Sequence, residues 1–296
     1  MWKGVERRGR NRRVVALKKC FNAFASSSDA QRAYREISYL RLLCGHRNVV
    51  ELKRVIRAKV DVDIYLVFEF METDLHAVIR AKLLEDVQKR YIAYQLLKAL
   101  KFVHSAGLVH RDVKPSNMLL NENCLMKLCD FGLCRSATQD SLQEDKMMDY
   151  DVATRWYRAP EILLGAAKCL PGLDLWATAC IVGEMYLGSP VLPGASIEDQ
   201  ITKILALLCH SDNKNPKLTL KNLVDEDSQR QSDLAAWFLG DDKGKEARPL
   251  CGRMLRLDPR QRQTAADALK DDWLAAFRGT EQEPSYGSSY FFLLED

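Results

Sequence analysis

No stretch of the 296 residues approaches the roughly 18 to 20 apolar residues that a membrane span needs, so no membrane partner is expected. The basic opening MWKGVERRGRNRR has no apolar segment behind it, so no secretory signal is read there. No CxxC pair occurs. The nine cysteines, at 20, 44, 124, 129, 134, 169, 180, 209 and 251, are odd in number, and most lie in apolar stretches. Reduced thiols in a cytoplasmic and/or nuclear protein follow, and a structural zinc site is not expected. Neither sign of charge dominates. The balance is 44 basic against 40 acidic residues, or +4, too mild to argue for nucleic acid, which is not expected as a partner. Nor is apolar material scarce. At 47% hydrophobic and 28% charged the chain can bury a large core, which excludes disorder as its dominant state. No internal repeat is evident. The length suits one large domain or two smaller ones.

The basic residues are uneven. Lys3, Arg7, Arg8, Arg10, Arg12 and Arg13 face only Glu6 in the first 13 positions. Gly9 and Asn11 punctuate the run as a turn between two strands would, so it reads as a solvated turn rather than an import or nucleic-acid signal. Val14–Leu17 forms a short apolar strand ending near Lys18. A helix is expected to open at Ser28, with Gln31 as its capping-box partner, carry Ala33, Ile37, Leu40 and Cys44 on one face, and stop at Gly45. Strands near 49–56 and 64–70 complete a β-α-β-β unit. After residue 74 helices dominate: Glu85–Ser105, with an apolar stripe at Ala93, Leu96, Leu97, Leu100 and Val103, and the almost wholly apolar Asp174–Leu187. Short strands are expected at Met118–Leu120 and Met126–Leu128. Residues 211–246 read as a polar surface insertion.

The chemistry lies in an ordered set: Lys18 at the end of an apolar strand, Glu36 on the next helix, His110-Arg111-Asp112-Val113-Lys114-Pro115-Ser116-Asn117, Asp130-Phe131-Gly132, and Ala159-Pro160-Glu161. Each piece alone is common, but the set at these spacings is very specific. Phosphoryl transfer from ATP needs phosphate charge neutralised and a hydroxyl oriented. Lys18, fixed by Glu36, can hold the α and β phosphates. Asp112 can orient the acceptor hydroxyl and take its proton, and Lys114 can meet the γ-phosphate. Asn117 and Asp130 offer the hard oxygen ligands that Mg²⁺ requires.

On these residues the chain resembles eukaryotic protein kinases over residues 1 to about 277. Through Val152-Ala153-Thr154-Arg155-Trp156-Tyr157-Arg158-Ala159-Pro160-Glu161, Phe70-Met71-Glu72-Thr73-Asp74-Leu75 and Leu257-Asp258-Pro259-Arg260-Gln261-Arg262 it is similar to the MAP kinases. Residues 16–24 and 63–80 look like the atypical extracellular-signal-regulated kinases seven and eight. The PSTAIRE helix of the competing cyclin-dependent kinases is absent. The resemblance implies an α+β, two-lobed fold: a partial, mainly-β N-lobe over 1–70, a hinge at 71–73, a mainly-α C-lobe over 74–277, and a tail over 278–296. It implies ATP between the lobes, with Phe68 as gatekeeper, the Glu69 carbonyl and Met71 backbone on the adenine, and Ala16 and Leu119 sandwiching it. Cys129 either borders the pocket or is a small buried hydrophobe. Asp174 would brace the catalytic loop containing Arg111, Glu161 would pair with Arg262, and Arg158 would shape a site for Ser/Thr-Pro sequences in substrate proteins. A monomer is expected.

Two features depart from that pattern. No GxGxxG motif occurs, and the sequence opens about where that loop would already have ended. Either the sequence as given is shortened or the protein is a degenerate kinase that binds without transfer; the first is expected, because lost function should have eroded the other motifs too. In the activation segment, Asp149-Tyr150-Asp151 occupy the Thr-x-Tyr positions of the family. Carboxylates would then replace both phospho-acceptors, near Arg155 and Arg158, favouring self-activation over an upstream kinase. A shifted register keeps Tyr150 as acceptor, and plain solvated loop residues are the third reading.

Overall fold

The computed structural model describes residues 1–8, 11–21, 23, 26–58, 63–137, 155–165, 169–209 and 244–279. The activation-segment triplet 149–151, most of the 211–246 insertion and the tail beyond 279 lie outside them.

The N-terminal part is a four-stranded antiparallel sheet with one helix. Its strands are β1 (Trp2–Arg8), β2 (Asn11–Cys20), β3 (Leu52–Arg57) and β4 (Ile64–Glu69), in the order β1-β2-β4-β3. The first two pair in continuous register from Trp2 opposite Leu17 to Arg8 opposite Asn11. Gly9 and Arg10, between the two strands, lie outside the described residues, and Asn11, read as part of the turn, is the first residue of β2. The strand read from the sequence as four residues runs for ten, and the strand before it, implied by a turn between two strands but given no bounds there, is Trp2–Arg8. Its alternation is masked by arginines on both faces.

Helix α1 (Ser27–Leu42) packs on this sheet. Its N-cap is Ser26, with φ −133° and ψ 157°, and the Ser26 side chain accepts from Asp29 N. The start expected at Ser28 is corrected by two residues. Ser26, Ser27, Ser28 and Asp29 are four competent caps in a row, and pattern alone does not rank them. The helix ends at Leu42 rather than running to Gly45, which follows in the left-handed region at φ 90°. Ala33, Glu36 and Leu40 are its buried residues, so one carboxylate faces inward with the apolar stripe.

The C-terminal part is helical around α3 (Asp86–Ser105) and α5 (Gly172–Leu187), preceded by α2 (Leu75–Arg80) and α4 (Pro160–Leu163) and followed by α6 (Ile197–Cys209), α7 (Arg248–Met254) and α8 (Ala265–Ala268). In α3, Glu85 is the N-cap and exchanges a capping box with Gln88. All five residues of the expected stripe are buried. In α5 every residue from Gly172 to Tyr186 is buried, as its lack of polar faces predicts. Trp176 is fully enclosed there, and such a side chain contributes about 1.5–3 kcal/mol by burial. Gly172 has a steric reason to be glycine: a Cβ would meet the Pro259 carbonyl oxygen at 2.7 Å.

Short strands carry the catalytic segments. β5 (Thr73–Asp74), β7 (Met118–Leu120) and β8 (Met126–Leu128) form one small sheet, and β6 (Leu108–Val109) pairs with β9 (Arg135–Ser136). The β7 and β8 bounds match the sequence reading.

Polar contacts tie the two parts together. Asn48 Nδ2 donates to Gln95 Oε1 at 3.0 Å and to the Met126 carbonyl at 2.9 Å, and Met126 N donates to Gln95 Oε1 at 2.9 Å. Beside them Val50 N donates to the Leu128 carbonyl, and Leu128 N to that of Asn48. His46 is buried against Phe102, ring centroids 4.6 Å apart. Burial, helped by Lys98 and Lys127, lowers its pKa to about 4, which keeps the ring neutral.

Candidate active site

A cleft of about 480 Å³ lies between the sheet and the helical part. Ala16 and Lys18 reach it from β2, Glu36 from α1, and Phe68 from β4. Glu69 ends β4, Met71 follows on the connecting segment, Leu119 lies on β7, and Cys129 and Asp130 follow β8; Asn117 lines it too. Of the residues expected to meet ATP or metal, all but Lys114 border this one cavity. Cys129 is half-buried there, and burial first, then Asp130, pushes its thiol pKa well up. It is a protonated thiol at the cleft wall, so both readings of that residue hold in part.

Lys18 and Glu36 meet directly: Nζ lies 2.7 Å from Oε1 and 2.9 Å from Oε2. Asp130 Oδ1 is a longer 3.4 Å away. Burial alone would lower the Lys18 pKa, but Glu36 and then Asp130 outweigh it and raise it. Burial pushes the Glu36 carboxyl up, against the pull of Lys18. Asp130 resists a similar desolvation and stays below its ordinary value, held mainly by Lys18. The site is therefore one ammonium between two carboxylates.

The second cluster grows from the segment between β6 and β7. Asp174, 1% exposed on α5, accepts from His110 N and Arg111 N, each at 2.9 Å, through its two oxygens. His104 Nε2, from the last turn of α3, lies 2.8 Å from the same carboxylate. Desolvation would raise the Asp174 pKa, but the His104 contact and the neighbouring donors hold it below the usual value. This carboxylate fixes Arg111 at φ 69°, in the left-handed region that a non-glycine residue rarely adopts. Asp130 is likewise left-handed at φ 63°. His110 is fully buried. Its Nδ1 accepts from Asp112 N at 3.3 Å, so Nε2 carries the proton and donates to the Cys129 carbonyl at 3.0 Å.

Asp112 is the product of this scaffold. Asn117 Nδ2 donates to its backbone oxygen at 2.8 Å and its Oδ2 at 3.0 Å, and Lys114 Nζ lies 2.9 Å from Oδ2. The other oxygen, Oδ1, is buried and has no hydrogen-bond partner among the described residues. A buried acceptor left open is costly unless something arrives to use it. Asn117 spends its NH₂ group on Asp112, which leaves its amide oxygen, together with Asp130, as hard donors at the cleft. No group of three or more His, Cys, Asp or Glu residues able to hold a metal exists among the described residues. A Mg²⁺ that completes its octahedron with phosphate oxygens and water needs no such cage, so the donor set fits it.

A smaller cavity of about 50 Å³ adjoins Asp112 and is lined by Arg111, Tyr157, Arg158 and Asp174. Tyr157 donates to Glu184 Oε2 at 2.6 Å. Trp156 Nε1 and Arg155 Nη1 donate to the Gly194 and Ala195 carbonyls. Glu161 and Arg262 form a bidentate pair at 2.6 and 2.7 Å.

Sequence reasoning missed one contact set at the cleft's rear. Lys127, in β8, places Nζ 2.9 Å from Glu69 Oε1, and the same oxygen accepts from Glu51 N at 2.8 Å. Glu69 matters through its side chain as well as its backbone. The available signal was a lysine between Met126 and Leu128 in an apolar strand, where an amine needs a partner. His104 carried no comparable signal.

A profile of the protein kinase domain matches residues 4–274. The chain belongs to the protein kinase family. Within it the relatives are MAP kinases. Mitogen-activated protein kinase 15 of Xenopus laevis is 43% identical over the whole of this chain and 51% of its own length. Extracellular signal-regulated kinase 2 of Dictyostelium discoideum is 43% identical over 97% of this chain and 78% of its own. Extracellular signal-regulated kinase 7 of Drosophila melanogaster is 40% identical over 96% and 32% respectively. The chain thus spans about half the length of the Xenopus relative. The resemblance to the atypical signal-regulated kinases read from the sequence is borne out, as is the two-lobed fold with a β-sheet N-lobe and a helical C-lobe.

Proposed function

We propose that this kinase transfers the γ-phosphate of ATP, with Mg²⁺, to Ser or Thr followed by proline in protein substrates, as a step of intracellular signalling in the cytoplasm and/or nucleus. The observation that carries the reading is the open, buried Oδ1 of Asp112 beside an oxygen already anchored by Asn117 and Lys114. The anchored oxygen fixes the carboxylate, and the free one accepts the hydrogen bond of the incoming hydroxyl. As the hydroxyl oxygen bonds to the γ-phosphorus and the bond to the ADP oxygen breaks, the hydroxyl proton passes to Asp112. Lys18, held by Glu36, neutralises charge on the non-transferred phosphates. Lys114 does the same for the γ-phosphate. Asn117 and Asp130 would hold Mg²⁺, which supplies charge neutralisation across the phosphate oxygens. Arg158 and Tyr157, lining the small cavity beside Asp112, fit the recognition of the residue after the target hydroxyl. Asp149 and Asp151, outside the described residues, are assigned partial replacement of activating phosphates.

The rival reading is a pseudokinase that binds nucleotide or a partner without transfer. Phosphate incorporation into paired Ser-Pro and Ser-Ala peptides separates the two. The proline peptide should be strongly preferred, and Asp112→Asn should lower turnover by roughly three orders of magnitude while MgADP still binds. Nucleotide binding without incorporation would select the pseudokinase.

A further inference from the structure

We propose that the β1–β2 hairpin is a binding element for double-stranded DNA, seated as a two-stranded ribbon in the major groove. Residues 5–14 hold five arginines, at 7, 8, 10, 12 and 13, against the single acid Glu6. That excess of four equals the net charge of the whole chain, +4, so all other residues together balance to zero.

The structure turns this composition into a shape. β2 meets β4 only from Val15 onward, opposite Glu69. Asn11–Val14 pair with β1 alone, so the arginine-bearing end projects past the four-stranded sheet as a ribbon. Arg7 lies directly opposite Arg12. Like charges across an antiparallel pair repel, so this register costs stability in the free protein. Arg13 lies opposite Glu6 on the other face, but Glu6 is already engaged by Arg54 of β3. Arg7, Arg12 and Arg13 are exposed, and none has a carboxylate partner among the described residues. An uncompensated cationic ladder is what a polyanion would relieve.

The placement chooses among polyanions. Arg7 and Arg12 occupy one face of the ribbon and Arg13 the opposite one. A flat lipid surface meets one face at a time, whereas the two phosphate walls of a groove meet both. The B-DNA major groove, about 12 Å wide, admits a two-stranded ribbon. Four residue pairs span roughly 10 Å, a length over which B-DNA presents about six charges. Val5 and Val14, 57% and 40% exposed and opposite each other, lie on the same face as the Arg7–Arg12 pair. Residues 9 and 10 of the turn read from the sequence lie outside the described residues, and Arg7, Arg12 and Arg13 beside them are strand residues in a fixed register.

The test is fluorescence anisotropy of the full chain with a labelled B-DNA duplex of about 20 base pairs, without nucleotide, across a salt series. The triple variant Arg7→Gln, Arg12→Gln, Arg13→Gln should bind at least ~10-fold more weakly, with a salt slope smaller by about 2 to 3. Arg12→Lys should bind within a few-fold of the parent. Its thermal midpoint and that of the triple variant should not fall, since repulsion is reduced or unchanged. The proposal is overturned if the parent does not bind, if the triple variant binds equally well, or if Arg12→Lys loses binding as the triple does. It is also overturned if phosphatidylserine vesicles or polyglutamate compete as well as the duplex at equal charge; the patch would then belong to a membrane or an acidic peptide. All of these readings are taken without phosphoryl transfer, so their failure leaves the kinase assignment untouched.

Discussion

Lys18 and Arg262 each grip a glutamate, yet the two pairs are built to opposite ends. Arg262 has a wholly buried side chain, and its guanidinium is saturated. Nε donates to the Arg256 carbonyl, Nη1 to Glu161 and the Gly172 carbonyl, and Nη2 to Glu161 and the Leu257 carbonyl. All five N–H groups of the side chain are spent. Lys18 remains 29% exposed at the cleft, and its third contact, to Asp130, stretches to 3.4 Å. The first pair has no capacity left for a ligand, and the second keeps some. The same ion-pair chemistry is thus scaffold where it is saturated and site where it is not.

Breaking the saturated pair should have the largest effect, and on stability. Glu161→Gln leaves a buried guanidinium without its counter-charge, a change that costs about 3–5 kcal/mol in comparable buried pairs. For a chain of this size that is a fall in thermal midpoint of roughly 6–20 °C. Differential scanning calorimetry reads it. Activity per folded molecule at low temperature should be nearly unchanged; a large loss there with an intact midpoint would reverse the scaffold assignment.

Changing the unsaturated pair should do the reverse. Lys18→Arg keeps the charge but replaces a compact ammonium with a larger planar fork, which cannot hold Glu36, Asp130 and a phosphate in the same geometry. Turnover should fall by about 10- to 100-fold, with a midpoint shift no larger than that of an ordinary surface substitution. Steady-state kinetics beside a melt of the same sample decides it. Equal loss in both would mean that Lys18 is scaffold too.

The comparison also explains what could be read in the sequence. Lys18, Glu36, Asp112, Asn117 and Asp130 were legible as a set because the resemblance to protein kinases gives them a fixed order along the chain. Met118–Leu120 and Met126–Leu128 were legible because they are short apolar runs between polar breaks. The α1 start was off by two because Ser26 to Asp29 are equivalent as caps until the chain is folded. The Asn48–Gln95 and Lys127–Glu69 contacts join residues far apart in sequence, and no local periodicity encodes such a partner. The bounds of β1 were hidden because its arginines obscure the alternation that marks a strand.

Lys127 tests the middle ground between scaffold and site, and its effect should be the smallest. It does not itself line the cleft, but its partner Glu69 does, and Glu69 is the last residue of β4, where the backbone leaves the sheet toward Met71. Glu69 Oε1 receives both Lys127 Nζ and Glu51 N, so the carboxylate pins the segment proposed to meet adenine to β8 on one side and to the start of β3 on the other. Lys127→Met keeps the length and apolar stem while removing the ammonium, and Glu51 N still holds one carboxylate oxygen. The segment should loosen without melting. The Lys127 and Glu69 side chains are only 11% and 20% exposed, but with Glu51 N still in place the change removes one hydrogen bond, about 1 kcal/mol, so KM for ATP should rise about threefold to fivefold with kcat little changed, and amide exchange at 69–71 should quicken. Glu69→Gln, which can still accept from Glu51 N, should match it. The double variant should add nothing further, because both substitutions remove one interaction. If KM stays put while the melting midpoint drops, Lys127 belongs with Arg262 rather than with Lys18.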